Sequence, residues 1–102
     1  MAVAELFRAL GDPTRLEMVW RLSSGSSHTI TSVSNGLAIS RQGARKHLQI
    51  LVDAKVIKLE PQGRNTLVCL DQQSIDQCKA FIAKIEGQWD KRLEALRRVV
   101  EG

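Results

Sequence analysis

The last third of the chain carries an apolar stripe that limits the possible folds. Its apolar residues recur at alternating spacings of three and four, which keeps them on one helix face for about seven turns. The stripe consists of Ile75, Cys78, Ile82, Ile85, Trp89, Leu93, Leu96 and Val100. A chain of 102 residues makes one small domain, and so small a body cannot cover a helix of that length. The surplus apolar face predicts contact with a second copy in a two-fold dimer.

Two helices are predicted before residue 23. Residues 2–10 have helical apolar spacing, and Gly11 ends the run. Asp12 then caps a second helix with its side-chain oxygen. Pro13 fits the first helical position, because its missing N–H loses no hydrogen bond there. The apolar side of that second helix is expected to consist of Leu16, Val19, Trp20 and Leu22.

The middle of the chain predicts two further helices close together. A short third helix is capped by Thr29 or Thr31, after a Ser/Gly-rich loop. The fourth helix begins at the N-cap Ser40 and runs to about Ala54. The short connection between the two is typical of a helix-turn-helix pair.

Two strands and a last helix follow. Val56–Glu60 and Asn65–Leu70 have alternating or β-branched residues, and residues 61–64 form the turn between them. Asp71 caps the last helix. The predicted fold class is therefore mainly α with a small β-hairpin, in the order of four helices, two strands and a fifth helix.

The fourth helix has an apolar back and a polar, cationic front. The back consists of Ala44, Leu48, Leu51 and Val52, and the front of Arg41, Gln42, Arg45, Lys46 and His47. Arg pairs bidentately with guanine and Gln with adenine, and a helix N-terminus suits a phosphate oxygen. We therefore expect this helix to enter a DNA major groove, with DNA contacts from Ser40, Arg41, Gln42, Arg45, Lys46 and His47. The alternative is a solvated helix face that is merely basic.

Several positions of this predicted surface have two interpretations. Lys46 and His47 suit phosphates better than bases, and His47 is alternatively a packed or capping histidine. Arg64 at the hairpin tip is expected to enter the minor groove or to touch phosphate, although turn arginines are often only solvated. Gly43 either permits close backbone approach to DNA or is a tolerated surface glycine.

Composition is consistent with this hypothesis. The net charge of +4 favours a polyanionic partner without identifying it. Cys69 and Cys78 form no disulfide framework, which indicates a reduced, cytoplasmic compartment, nucleoid-associated in a prokaryote. The sequence has no signal segment and no apolar run long enough for a bilayer. No membrane partner is expected.

Neither catalysis nor a cofactor is indicated. The sequence has no Gly-rich phosphate loop and no nucleophile-base pattern. The soft metal ligands are His28, His47, Cys69 and Cys78, and their spacing predicts no zinc site. We expect a protein that is not an enzyme and has no metal, no cofactor and no indicated small-molecule effector.

Several segments together resemble the ArsR/SmtB family of winged helix-turn-helix transcriptional repressors. They are FRALGDPTR at residues 7–15, the stretch from Ser40 to Leu48, KHLQIL at 46–51, Ala54-x-Val56-Ile57, Gly63-Arg64 and WDKRLEAL at 89–96. The WxxRLxxL tail resembles a subgroup of that family. The resemblance implies a homodimer held by the first and last helices, with both reading helices on one operator and the hairpin as a wing. It also implies repression of transcription, with Ser40, Gln42, Arg45, His47 and Arg64 on the DNA.

The chain departs from the metal-sensing members of that family. Those members carry a cysteine pair in the third helix, where this chain has Thr31–Asn35 without thiol, imidazole or carboxylate. Other members use Asp and His pairs on the last helix, which lacks histidine here. These departures argue against metal sensing. A further departure is Lys55, where the family usually has glycine.

The sequence thus predicts one winged-helix domain over residues 1–102, with residues 1–10 and 71–101 also forming the dimer interface. The predicted function is a homodimeric repressor that binds an imperfect palindromic operator through helix 40–54 and wing 61–65. The predicted interface residues are Leu6, Ile75, Cys78, Ile82, Ile85, Trp89, Leu93 and Leu96. One alternative is a winged-helix protein-interaction module that dimerises without reading DNA. Another is a metal- or thiol-responsive sensor, which would need the four soft ligands to converge.

Overall fold

Five helices and a small antiparallel sheet make up the computed structural model, which describes residues 2–25 and 27–102. The elements are α1 (Ala2–Leu10), α2 (Pro13–Leu22), β1 (His28–Thr29), α3 (Ile30–Ser34), α4 (Arg41–Asp53), β2 (Ile57–Gln62), β3 (Asn65–Leu70) and α5 (Gln72–Glu101). The predicted fold class and helix order are confirmed. The short strand β1 is an addition.

The helix caps lie where side-chain chemistry predicts them. The capping acceptors are Asp12, Thr29, Ser40 and Asp71. Between the two threonines that the sequence left open, Thr29 is the cap of α3, and it forms a reciprocal capping box with Ser32. Each cap satisfies backbone N–H groups that a helix end leaves without a partner.

The wing is a hairpin with a two-residue turn. Gln62 pairs with Asn65, so only Gly63 and Arg64 connect the strands. Gly63 has φ +61°, a left-handed conformation that glycine adopts without a steric penalty. The turn is shorter than predicted because Pro61 continues β2, an edge strand of the order β1-β3-β2, where proline is tolerated.

Strand β1 was not predicted from the sequence. It has two residues, and it pairs His28 with Val68 and Thr29 with Leu67. Two residues are too few to show a period in the sequence. This strand forms because the free edge of β3 lies beside it and pairs with it.

The core lies between α1, α2, α3, α4 and the sheet. Its most buried large side chains are Leu6, Met18, Val33, Leu51 and Val56. These residues come from four helices and the start of the wing, and α4 is therefore held by packing on several sides.

The apolar side predicted for α2 is partly wrong. Met18 and Leu22 face the core, whereas Leu16 is 55% exposed and Trp20 is 73% exposed. Apolar residues occupy two faces of α2, and the periodicity alone does not tell which face the other elements cover.

The end of α4 has an unusual backbone conformation. Lys55 has φ +63°, in the region where side chains other than glycine are strained. Its N–H donates to the Val52 carbonyl and the N–H of Val56 donates to the Leu51 carbonyl, both at 2.9 Å, which is a Schellman termination. The Ser74 hydroxyl donates to the Lys55 carbonyl and so joins α5 to this turn.

Replacing Lys55 by glycine is expected to raise the free energy of unfolding by about 1 kcal/mol, because glycine relieves the left-handed strain. Urea denaturation measures the change. The matched control is Ala54→Gly, since Ala54 has φ −83° and glycine there relieves no left-handed strain; loss of its packed methyl group and added unfolded-state entropy are expected to lower stability. A loss of stability in the Lys55→Gly variant would contradict the strain argument.

Helix α5 extends far beyond the rest of the protein. Its 30 residues span about 45 Å at 1.5 Å per residue, and the molecule measures 67 × 26 × 25 Å. Within residues 2–25 and 27–102, only its first part is covered: the Phe7 and Phe81 rings meet with centroids 5.7 Å apart where α1 packs on α5. Among the described residues, no helix is both long and apolar enough to span a bilayer.

Candidate nucleic-acid interface

Helix α2 holds the end of α3, just before α4, through the side chain of Arg21. The Arg21 guanidinium Nη1 donates to the carbonyls of Val33, at 3.2 Å, and Asn35, at 2.5 Å. These carbonyls lie at the end of α3, where helices leave acceptors unsatisfied. Arg21 also pairs with Glu17 at 3.2 Å. No signal in the sequence pointed to Arg21, because its partners are backbone atoms.

Four of the predicted reading residues project from the first half of α4 into solvent. Arg41, Gln42, Arg45 and Lys46 are all exposed, and the first turn of α4 contains no acidic residue. Across residues 2–25 and 27–102, the hydrogen bonds and ion pairs do not involve these four side chains. Their donors are therefore free to meet a ligand, as a groove-reading surface requires.

Ser40 and Gly43 together form the N-terminal end of this surface. The Ser40 Oγ accepts from the Gly43 N–H at 3.0 Å, and its own hydroxyl proton remains available. A Cβ at residue 43 would lie 3.3 Å from that Oγ and 3.7 Å from the Ile39 Cβ. Gly43 therefore has an explanation that the sequence did not suggest, which is room for the cap.

Arg64 lies at the exposed tip of the wing, directly after the left-handed Gly63. The hairpin holds the backbone on either side of it, and Arg64 itself is exposed. The structure thus places a second cationic position away from α4, on a separate element.

His47 differs from its neighbours on α4. Its side chain is only 23% exposed, and its Nδ1 lies 3.1 Å from the Arg15 Nη1 and 3.9 Å from the Asp12 Oδ1. The Arg15 Nε also donates to the Ala9 carbonyl at 2.6 Å. Between the two interpretations of His47, this placement favours the packed histidine.

Asp12 is the charged centre of the same junction. Its Oδ1 accepts from the backbone N–H groups of Thr14, at 2.8 Å, and Arg15, at 3.1 Å. The hydrogen bond from Arg15 is the main reason that the pKa of the Asp12 carboxyl lies below its ordinary value. The carboxylate form is therefore the one that caps α2.

The apolar residues of α5 after Phe81 are mostly uncovered. Ile82, Ile85, Trp89, Leu93 and Leu96 are between 46% and 59% exposed. We call these five residues and Val100 the α5 stripe. It is a continuous apolar face that nothing in residues 2–25 and 27–102 covers, and faces of this kind mark interaction sites.

The other predicted interface residues lie inside the protomer. Leu6 is 2% exposed in the core, Cys78 is buried and Ile75 is half-buried. Within the protomer, Leu6 and Cys78 pack in the core, so their contact with a second copy stays a prediction. Helical spacing groups residues by face but does not distinguish a face covered by the chain's own helices from one covered by a partner.

The soft ligands are scattered. His28 has its Nδ1 3.2 Å from the Ser32 hydroxyl, and Cys69 lies half-buried on β3. Burial raises the pKa of the Cys78 thiol. Within residues 2–25 and 27–102, no three His, Cys, Asp or Glu side chains are grouped to hold a metal ion.

Comparison with known proteins gives consistent results. A family model described as a helix-turn-helix domain matches residues 10–60, the part that contains α2, α3, α4 and the start of the wing. The chain is 31% identical over 88 residues to a cadmium resistance transcriptional regulatory protein CadC homolog of Staphylococcus aureus. That match covers 84% of this chain and 73% of the relative.

Two solved structures are similar over most of their length. An ArsR-like transcriptional regulator from Rhodococcus sp. RHA1 aligns with a TM-score of 0.80 and 26% identity, over 96% of this chain and 92% of that one. A further ArsR family transcriptional regulator aligns with a TM-score of 0.78 and 26% identity, over 87% and 91%. Both sequence and fold therefore point to the same group of proteins.

Proposed function

This chain belongs to the ArsR-type winged helix-turn-helix regulators, and we propose that it represses transcription as a homodimer on an imperfect palindromic operator. It is a DNA-binding transcriptional regulator and not an enzyme. The winged-helix interaction module that does not read DNA is not favoured, because the relatives are transcriptional regulators. The proposed location is the cytoplasm, where operator DNA lies.

The observation that carries the proposal is the free polar front of α4. Arg41, Gln42 and Arg45 have exposed side chains on the first turns of a helix that is fixed by its cap and its apolar back. A recognition helix reads bases with its N-terminal residues. We assign base discrimination to these three side chains.

The remaining contacts are assigned to the DNA backbone. Ser40 and the N–H groups at the start of α4 suit a phosphate, and Lys46 suits a phosphate on the flank of the groove. Arg64 in wing 61–65 enters the adjacent minor groove or contacts its phosphates. These contacts supply affinity and register, while the helix at residues 40–54 supplies sequence preference.

The partner in the proposed dimer is a second copy bound through the α5 stripe. The domain then comprises residues 1–102, with residues 1–10 supporting the helix at 71–101 at the interface. Two-fold symmetry sets the two α4 helices about one DNA turn apart, and the operator repeats in inverted orientation. No effector is part of the proposal.

Binding to genomic fragments tests this function. The purified protein is expected to select fragments with an inverted repeat whose half-sites lie about 10 base pairs apart. If Lys46 and Arg64 of two subunits neutralise four phosphates, the log–log slope of affinity against salt is expected to be about −3.6. Mobility shifts over a salt series measure that slope.

Ser40→Asp is the control that separates folding from binding. An aspartate retains the acceptor that caps α4, so the melting temperature is expected to stay unchanged. Its carboxylate repels phosphate at the helix N-terminus, so operator binding is expected to disappear. If the wild-type protein selected no inverted repeat and its affinity for DNA did not depend on salt, the result would instead support the interaction module.

A further inference from the structure

Three helices of the protein meet at one polar junction behind the reading surface. Ala9 offers the carbonyl at the end of α1, Asp12 and Arg15 lie at the start of α2, and His47 lies in the middle of α4. Arg15 spans the junction, with its Nε 2.6 Å from the Ala9 oxygen and its Nη1 3.1 Å from the His47 Nδ1. One half-buried guanidinium therefore connects α1 to α4.

A hydrogen bond from Arg15 to His47 constrains the tautomer of the histidine. Arginine has only donors, so this hydrogen bond requires the His47 Nδ1 to accept, which leaves the ring proton for Nε2. The Asp12 Oδ1 lies 3.9 Å from that Nδ1 and caps the helix that carries Arg15. The charge of Arg15 is thus accompanied by a carboxylate in the same junction.

We propose that Arg15 and His47 form a strut that sets the orientation of α4 against α1, and that His47 is a positioning residue and not a DNA contact. The inference rests on the proposed function. Helix α1 packs on α5, which carries the α5 stripe and hence the second copy. The angle between α1 and α4 then decides how far apart the two reading helices lie on the operator.

The position of His47 separates it from the residues that meet DNA. Lys46, one residue earlier, is exposed, whereas His47 is half-buried and already has a partner. A phosphate contact carries no sequence information, and its loss is expected to weaken binding without changing which operator spacing is preferred. A strut acts through geometry and contributes to the preference for one spacing.

The experiment measures binding of His47→Ala and Lys46→Ala to operators whose half-site spacing varies by one or two base pairs. His47→Ala is expected to lose about tenfold in affinity at the native spacing, to lose its preference among spacings and to keep the wild-type salt slope. Lys46→Ala is expected to lose affinity equally at all spacings, and its slope becomes shallower by about 2 for the dimer. The Lys46 pattern in the His47 variant would overturn the proposal.

Two conservative variants separate the ring nitrogens. In His47→Asn, the amide oxygen of the new side chain would lie near the place of Nδ1 and accept from Arg15, whereas His47→Gln places its amide near Nε2. Restored spacing preference in His47→Asn alone supports the strut. Restoration by His47→Gln alone would show a DNA contact through Nε2 and overturn the strut.

A DNA-free measurement distinguishes failure of the strut from failure of the proposed function. The imidazole nitrogen NMR shifts of the wild-type protein at neutral pH are expected to show Nδ1 unprotonated and hydrogen-bonded, and Arg15→Gln is expected to shift the Nδ1 signal. An unchanged Nδ1 signal in that folded variant would overturn the strut even if the operator is bound. A shifted signal in a protein that selects no operator would uphold the contact and reject the function.

Discussion

A Leu93→Asp variant is expected to be monomeric and to lose high-affinity operator binding. Leu93 lies at the middle of the exposed α5 stripe. The proposed two-fold pairing buries the Leu93 side chain of each subunit. A carboxylate buried there without a partner costs several kcal/mol, so each subunit is expected to lose about 3 kcal/mol of association free energy or more. That change weakens the dimer more than ten-thousandfold in total.

Sedimentation equilibrium measures this change directly. The protomer itself is expected to remain folded, because Leu93 is 47% exposed and lies outside the core cluster. The matched control is Gly87→Asp, which adds the same charge on another face of α5 at a position where a Cβ meets open space. Gly87→Asp is expected to stay dimeric.

Loss of the dimer has a defined consequence on DNA. A monomer contacts only one half-site, so the variant is expected to bind single half-sites as weakly as the wild-type chain binds them. A Leu93→Asp protein that remains dimeric, or a wild-type protein that is monomeric at micromolar concentration, would refute the role assigned to the α5 stripe.

The second large effect is expected from Arg45→Ala. Because the exposed Arg45 guanidinium is assigned to a base edge, its removal is expected to cost about 1–3 kcal/mol on the true operator. The base preference at one position of each half-site is expected to relax at the same time. Stability is expected to change by less than about 0.5 kcal/mol, as for other surface substitutions.

Binding to an operator library with each position randomised measures both quantities. Lys46→Ala is the matched control one position along α4, and it is expected to weaken all sequences alike. If Arg45→Ala bound the operator with unchanged affinity, the face assigned to base reading would be the wrong one.

Helix boundaries and caps were predictable because the forces that set them act within a few residues. Asp12 with Pro13, Ser40 and Asp71 each begin a helix through a side-chain acceptor beside free N–H groups. The polar front of α4 was predictable for the same reason, because the buried positions Ala44, Leu48 and Leu51 are three or four residues apart.

Burial and pairing between distant elements were not predictable in this way. Trp20 was expected on the apolar side of α2 and is exposed, while Leu6 was expected at a partner and lies in the core. Strand β1 has two residues and is defined by the edge of β3. In each case the outcome depends on a neighbour far away in the chain.

Local chemistry in the sequence alone therefore determined the helices, their caps, the hairpin and the cationic side chains that α4 presents. Tertiary structure alone decided which apolar faces remain uncovered in the protomer and that His47 faces Arg15 behind the polar front of α4. The physical reason is range. Capping and helical periodicity act over three or four residues, whereas coverage of a face depends on how elements separated by tens of residues pack together.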